Sequence, residues 1–183
     1  LALAPRAEEL LAPPVIFRST FASKLDPERL GESRVVIITG LPRMDAEAAS
    51  RLERFVRGGG GLLIFAGEET EPISLTENLH RGGRGILPAR LLPRETRPAE
   101  GGEKKPRDLA TGHPALSIFK DPEEGDFSRI TVRRWTRVAD LSPDSSVLAR
   151  LDADSPWIVE RSAGSGKVVL VTGGTGSFGK ALT

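Results

Sequence analysis

The chain has 183 residues, 38% of them apolar and 28% charged, an ordinary balance for one domain with a sizeable core. Lys plus Arg number 26 against 25 Asp plus Glu, and a net charge of +1 argues against a nucleic-acid binder. Cysteine is absent, which removes disulfides, thiolate metal sites and every cysteine nucleophile.

No run approaches the roughly 18 apolar residues of a membrane-spanning helix. The opening Leu1-Ala2-Leu3-Ala4-Pro5 has no initiator Met, no basic start and no cleavage site. The chain therefore reads as a segment of a longer protein, with any membrane anchor outside it.

Residues 14–17 (PVIF) are a candidate first strand after a proline pair. Residues 34–39 (RVVIIT) make a stronger one, because consecutive β-branched apolar residues suit a strand covered on both faces. From Met44 to Arg57, apolar residues recur at Met44, Ala48, Leu52, Phe55 and Val56, which is helical spacing. Asp45 and Glu47 suit the positive start of that helix, and Arg54 and Arg57 its negative end. The glycines at 58–61 stop it, and residues 62–65 (LLIF) form the next strand. A β-α-β unit with a parallel sheet and a right-handed crossover is expected.

Residues 66–85 are polar and glycine-rich, with Leu75, Leu79 and Ile86 as scattered anchors. Residues 93–108 have almost no apolar side chain and read as an exposed loop. Residues 128–138 alternate like a half-exposed strand, placing Arg133, Arg134 and Arg137 on a solvated face around Trp135. Residues 147–151, 157–161 and 167–172 are three more strand-like runs, joined by short connections as in an antiparallel meander. Trp135 and Trp157 read as core residues.

Three motifs invite chemistry. The C-terminal VVLVTGGTGSFGKALT places Gly173, Gly176 and Gly179 after a buried strand and resembles the dinucleotide fingerprint of extended short-chain dehydrogenases, such as nucleotide-sugar epimerases. That fingerprint needs a following helix, a strand and an acidic residue about 20 positions on, and only four residues follow Gly179. A phosphate-cradling loop almost fits Gly174, Gly179 and Lys180, but Ala181 stands where Ser or Thr should hold magnesium. Gly164-Ser165-Gly166-Lys167 mimics the same loop without its upstream glycine, and a hairpin turn is the simpler reading. Glu68 and Glu69, after Gly67, lie past the end of a strand where ligands of open α/β sheets bind. They could hold a cation or serve as acid and base with a histidine. The only histidines are His80 and His113, with neither zinc spacing nor a G-x-S-x-G elbow beside them. His113 precedes Pro114, where it more often caps or packs than catalyses. No metal and no cofactor is expected.

Residues 35–67 also resemble class I glutamine-amidotransferase-like domains, in particular those of bacterial aerotolerance-related membrane proteins with von Willebrand factor A domains. Their helix ends L-x-x-F-V-x-x-G-G-G before a strand of type LLIF, and Leu52, Phe55, Val56, Gly59, Gly60 and Gly61 match it. Weaker matches follow in order at Asn78-Leu79, Gly85-Ile86-Leu87-Pro88-Ala89, His113-Pro114 and Gly164-x-Gly166-x-Val168. The resemblance implies one α/β domain, a flavodoxin-like or amidotransferase-like parallel sheet with helices on both faces and an antiparallel C-terminal extension. It further implies a membrane-anchored parent, an extracytoplasmic location, and partners that are proteins or neighbouring domains. Active members attack glutamine with a cysteine at the turn after such a strand. Here that turn is Ala66-Gly67-Glu68, so the expected domain keeps the scaffold without its nucleophile.

Overall fold

A computed structural model describes Ser19 and residues 27–41, 43–93 and 103–173. Within them the chain runs α1 (Pro27–Gly31), β1 (Val35–Thr39), α2 (Ala46–Arg57), β2 (Gly61–Phe65), α3 (Pro72–Leu75), β3 (Ala89–Leu91) and β4 (Val138–Leu141). It ends with β5 (Ser145–Asp152), β6 (Ser155–Ala163) and β7 (Gly166–Val171). The fold is mixed α/β, with a main sheet ordered β1-β2-β7-β6-β5 and a separate antiparallel ribbon of β3 and β4. The candidate strand at 14–17 lies outside the described residues, as do Gly174, Gly176, Gly179, Lys180 and Ala181.

The expected β-α-β unit is present. β1 pairs parallel with β2, from Val35 opposite Gly61 to Thr39 opposite Phe65. Asp45 caps α2 by accepting from the Ala48 N–H at 2.7 Å, which satisfies one of the donors a helix start leaves over. The cap sets the helix start just after Met44, which is buried all the same. At the far end the Phe55 ring covers Gly60 so closely that a Cβ there would stand 2.3 Å from it.

β5, β6 and β7 form the expected meander, and Gly164 (φ +62) with Ser165 makes the tight turn before β7. The expectation of a C-terminal extension attached beside the parallel core needs correction. β7 pairs parallel with β2, from Lys167 opposite Gly61 to Val171 opposite Phe65, and so stands in the middle of the sheet.

Side chains alternate across the sheet and feed two cores. Leu62, Ile64, Val168 and Leu170 face one way and pack with Leu30 of α1, Leu52 and Val56 of α2 and Leu75 of α3. Leu63, Phe65, Val169 and Val171 face the other way, toward Leu116, Phe127, Trp135 and Trp157. Helices on both faces were expected. Among the described residues the second face is instead covered by 3-10 turns at Pro114–Lys120 and Phe127–Arg129 and by extended chain. The intervening Asp121, Pro122, Gly125 and Asp126 are turn formers, and they leave no stretch long enough for an amphipathic helix.

The expected strand at 128–138 is also replaced, except for its last residue, which begins β4. Val132 makes an isolated bridge with Lys104, the Thr136 N–H donates to the Thr172 carbonyl at 2.7 Å, and Arg137 accepts from the Leu92 N–H at 2.9 Å. Three different partners cannot build one ladder. Trp135 and Trp157 are buried as expected, and Arg133, Arg134 and Arg137 are exposed. Of the expected loop at 93–108, residues 94–102 lie outside the described residues. Its end is tied down, with Arg107 exchanging backbone hydrogen bonds with Arg150 at 2.7 and 3.0 Å. Leu75, Leu79 and Ile86 are fully buried anchors.

β7 starts against the end of α2 with no side chain between them. A Cβ on Gly166 would stand 2.0 Å from the Val56 carbonyl oxygen and 2.3 Å from that of Gly60. Gly166→Ala is expected to cost about 2 kcal/mol or more, since overpacking typically costs about 1–3 and backbone cannot yield as a side chain can. Gly112→Ala, which meets nothing within 4 Å, is the control and should be near neutral. Urea unfolding midpoints check both.

Candidate functional site

The strand-end turn at Gly67, Glu68 and Glu69 follows β2 directly. It is fixed by the Ala66 N–H donating to the Val171 carbonyl at 2.8 Å and by the Thr136 hydroxyl donating to the Ala66 carbonyl at 2.9 Å. The two carboxylates then part company. Glu68 pairs with the exposed Arg134, and a Glu69 oxygen lies 2.7 Å from where a Cβ on Gly40 would sit, beyond the end of β1. The next carboxylate, Glu71, caps α3 by accepting from the Ile73 and Ser74 N–H groups at 2.9 and 2.7 Å. Among the described residues no three of His, Cys, Asp and Glu gather as metal ligands would.

Neither histidine is paired with those glutamates. His80 is buried behind β4, with its Nε2 3.0 Å from the Asp140 carbonyl oxygen. His113 caps the 3-10 turn: its Nδ1 accepts from the Ala115 N–H at 3.3 Å. That contact needs the Nδ1 lone pair, so the neutral ring carries its proton on Nε2 and donates it to Glu160 at 3.1 Å. Both nitrogens are engaged, and the ring has no lone pair left for a substrate. Of the dinucleotide-like turn only Thr172 and Gly173 are described. Thr172 is buried, its N–H donating to the Trp157 carbonyl at 2.9 Å.

The structure gathers a different site, on the second face of the sheet. A cleft of about 1280 Å³ has Leu63, Phe65, Val169 and Val171 as its floor and Leu116, Phe119 and Phe127 as its far wall. Phe127 meets Phe119 edge-on at 4.6 Å between ring centres and Trp157 at 5.5 Å, which makes the wall aromatic. At its rim Glu160 accepts from His113 through one oxygen and from Lys167 at 2.8 Å through the other. Val35, 58% exposed, carries the apolar lining out to the edge of the sheet at β1. The cleft escaped the sequence because its parts come from six separated segments. The one local signal was the hairpin turn at Gly164 and Ser165, whose register sets Glu160 diagonally across from Lys167.

No family model matches this chain, and no curated protein does. Solved structures do share its fold. Cytoplasmic protein STM3548 from Salmonella typhimurium is similar with a TM-score of 0.62 at 16% identity, over 85% of this chain and 67% of that one. Cytoplasmic protein STM1381 from Salmonella typhimurium LT2 gives 0.61 at 17%, over 84% and 66%. The mmIFT52 N-terminal domain gives 0.50 at 12%, over 82% and 70%. The chain thus spans about two thirds of the length of the two Salmonella proteins. Identities this low speak for the fold alone. No helix among the described residues is long and apolar enough to cross a membrane.

Glu160, with a side chain only 12% exposed, is the shared acceptor at the rim. Glu160→Ala leaves both donors without it and is expected to cost about 1–3 kcal/mol by urea unfolding. A loss within the roughly 0.5 kcal/mol typical of surface changes would show that the rim is not held this way.

Proposed function

We propose that this chain is a non-catalytic, amidotransferase-like domain that serves recognition or support within a larger, membrane-anchored bacterial protein. The observation that carries the reading is chemical. At the turn where an amidotransferase would hold its thiol, this chain has Ala66, Gly67 and Glu68, and it has no cysteine anywhere. A thioester cannot form without a sulfur nucleophile, and His113 has no lone pair to activate another one. The sheet is read as flavodoxin-like, with β1, β2 and β7 as its parallel part. Its partners are proteins or neighbouring domains of the same parent, on the extracytoplasmic side.

What remains for such a scaffold is a surface, and the apolar cleft on the second face offers one. Binding pockets are mostly apolar concavities with a few placed polar groups, which describes Leu63, Phe65 and Val169 with Glu160 and Lys167 at the rim. Two measurements test the reading together. Purified chain incubated with glutamine should release no ammonia above the buffer rate, and sustained release would overturn the non-catalytic assignment. Amide shift mapping with anilinonaphthalene sulfonate, an apolar probe, should perturb Leu63, Phe127 and Val169. Perturbation confined to Gly67, Glu68 and Glu69 would move the binding surface to the strand-end turn.

A further inference from the structure

Arg161 of β6 points away from the cleft, into the helix-covered side of the sheet, and is almost fully buried. Its guanidinium meets no carboxylate within ion-pair distance among the described residues. It donates instead to the carbonyls of Gly83 at 2.8 Å and Gly85 at 2.7 Å, and to the Ser142 hydroxyl at 2.9 Å. One side chain thus ties β6 to the loop after Leu79 and to the turn between β4 and β5. A buried cation whose hydrogen-bond partners are dipoles tolerates a second positive charge nearby poorly.

His80 is that neighbour. It is 2% exposed and lies where the helical turn Thr76–His80 ends, before Arg81 in the left-handed region (φ +48). Its Nε2–H serves the Asp140 carbonyl, and its buried Nδ1 has no hydrogen-bond partner. A proton on Nδ1 would be a buried N–H with no acceptor, and the charge of Arg161 acts against it. The other charges around the ring are the Asp140 carboxylate on β4 and Arg90 on β3, which already neutralise each other at 2.6 Å. Around Arg161 stand Asp144, in the turn before β5, and Glu53 and Arg57 on α2.

We propose that His80 and Arg161 form an acid-sensitive latch, in which protonation of His80 frees the loop 81–88 and the β3–β4 ribbon from the main sheet. Burial, opposed by the hydrogen bond to Asp140 and aided by the charge of Arg161, holds the imidazole below the ordinary histidine value of 6.5. The latched state therefore excludes a proton that the opened state accepts. Its stability is complete above that ordinary value and falls as pH drops below it. The opening constant rises up to tenfold per pH unit, until the latched ring itself protonates.

Amide hydrogen exchange on the whole chain, corrected for intrinsic rates, tests this between pH 7.5 and 5. Gly85 and Leu87, whose N–H groups donate to the His80 and Leu79 carbonyls at 2.9 Å, report the latch. They should lose protection several-fold on acidification while Val169 and Leu170 of β7 keep theirs. His80→Gln retains an N–H for the Asp140 carbonyl but has no proton to gain, and its Gly85 and Leu87 protection should not change with pH. The same pH dependence in His80→Gln as in the natural chain would overturn the latch. Should that variant not fold, ring-nitrogen shifts of the natural chain decide. His80 must stay neutral at 6.5 and protonate only as Gly85 and Leu87 open, and ordinary titration without opening would equally refute it.

Discussion

One strand is answerable to both halves of this molecule. β7 is hydrogen-bonded parallel to β2 on one side and antiparallel to β6 on the other, so it joins a β-α-β unit to a meander. Its alternate side chains enter both cores, Val168 and Leu170 among the helices and Val169 and Val171 in the cleft floor. The contact of Gly166 with the α2–β2 connection fixes where the strand begins. From that start the register follows residue by residue. A shift by one position would exchange every core residue of β7 for one from the opposite face.

That register also explains what the site can do. Glu160 and Lys167 meet at the rim because β6 and β7 are held in register by a turn of two residues. Arg161, one residue after Glu160, falls on the opposite face and reaches the carbonyls of the loop beyond Leu79. Adjacent residues of one strand thus serve two different tasks. The carboxylates after β2, by contrast, are drawn apart. Glu68, Glu69 and Glu71 are pulled to Arg134, toward Gly40 and to the start of α3 respectively.

The parts visible in the sequence were those whose physics is local. β1 and β2 read as strands from their continuous β-branched or apolar runs, and α2 because its apolar residues recur at helical spacing. The cover expected on both faces of β1 needs correction, since it is the edge strand and leaves Val35 58% and Ile37 46% exposed. The turn at Gly164 and the buried tryptophans were legible for similar reasons. The pairing of β7 with β2 was not, since about a hundred residues separate them and a parallel register leaves no local mark. Residues 128–138 misled because alternation signals an extended chain, while the partners that decide between ladder and isolated bridges come from elsewhere. Helices were expected over the second face from the resemblance to amidotransferase-like domains, but the turn-forming residues after Pro114 favour short 3-10 turns. Arg161 sits in a run that reads only as a strand, with nothing nearby to announce its carbonyl cage.

If β7 is the shared strand, the sheet opens as one unit. Amide exchange in mild urea measures this directly. Ile64 of β2, Leu170 of β7 and Val159 of β6 should share one opening free energy, the highest in the chain, and fall together as urea is added. Loss of Ile64 protection at a concentration where Leu170 and Val159 stay protected would mean that the meander holds without the parallel unit, and that β7 does not join them.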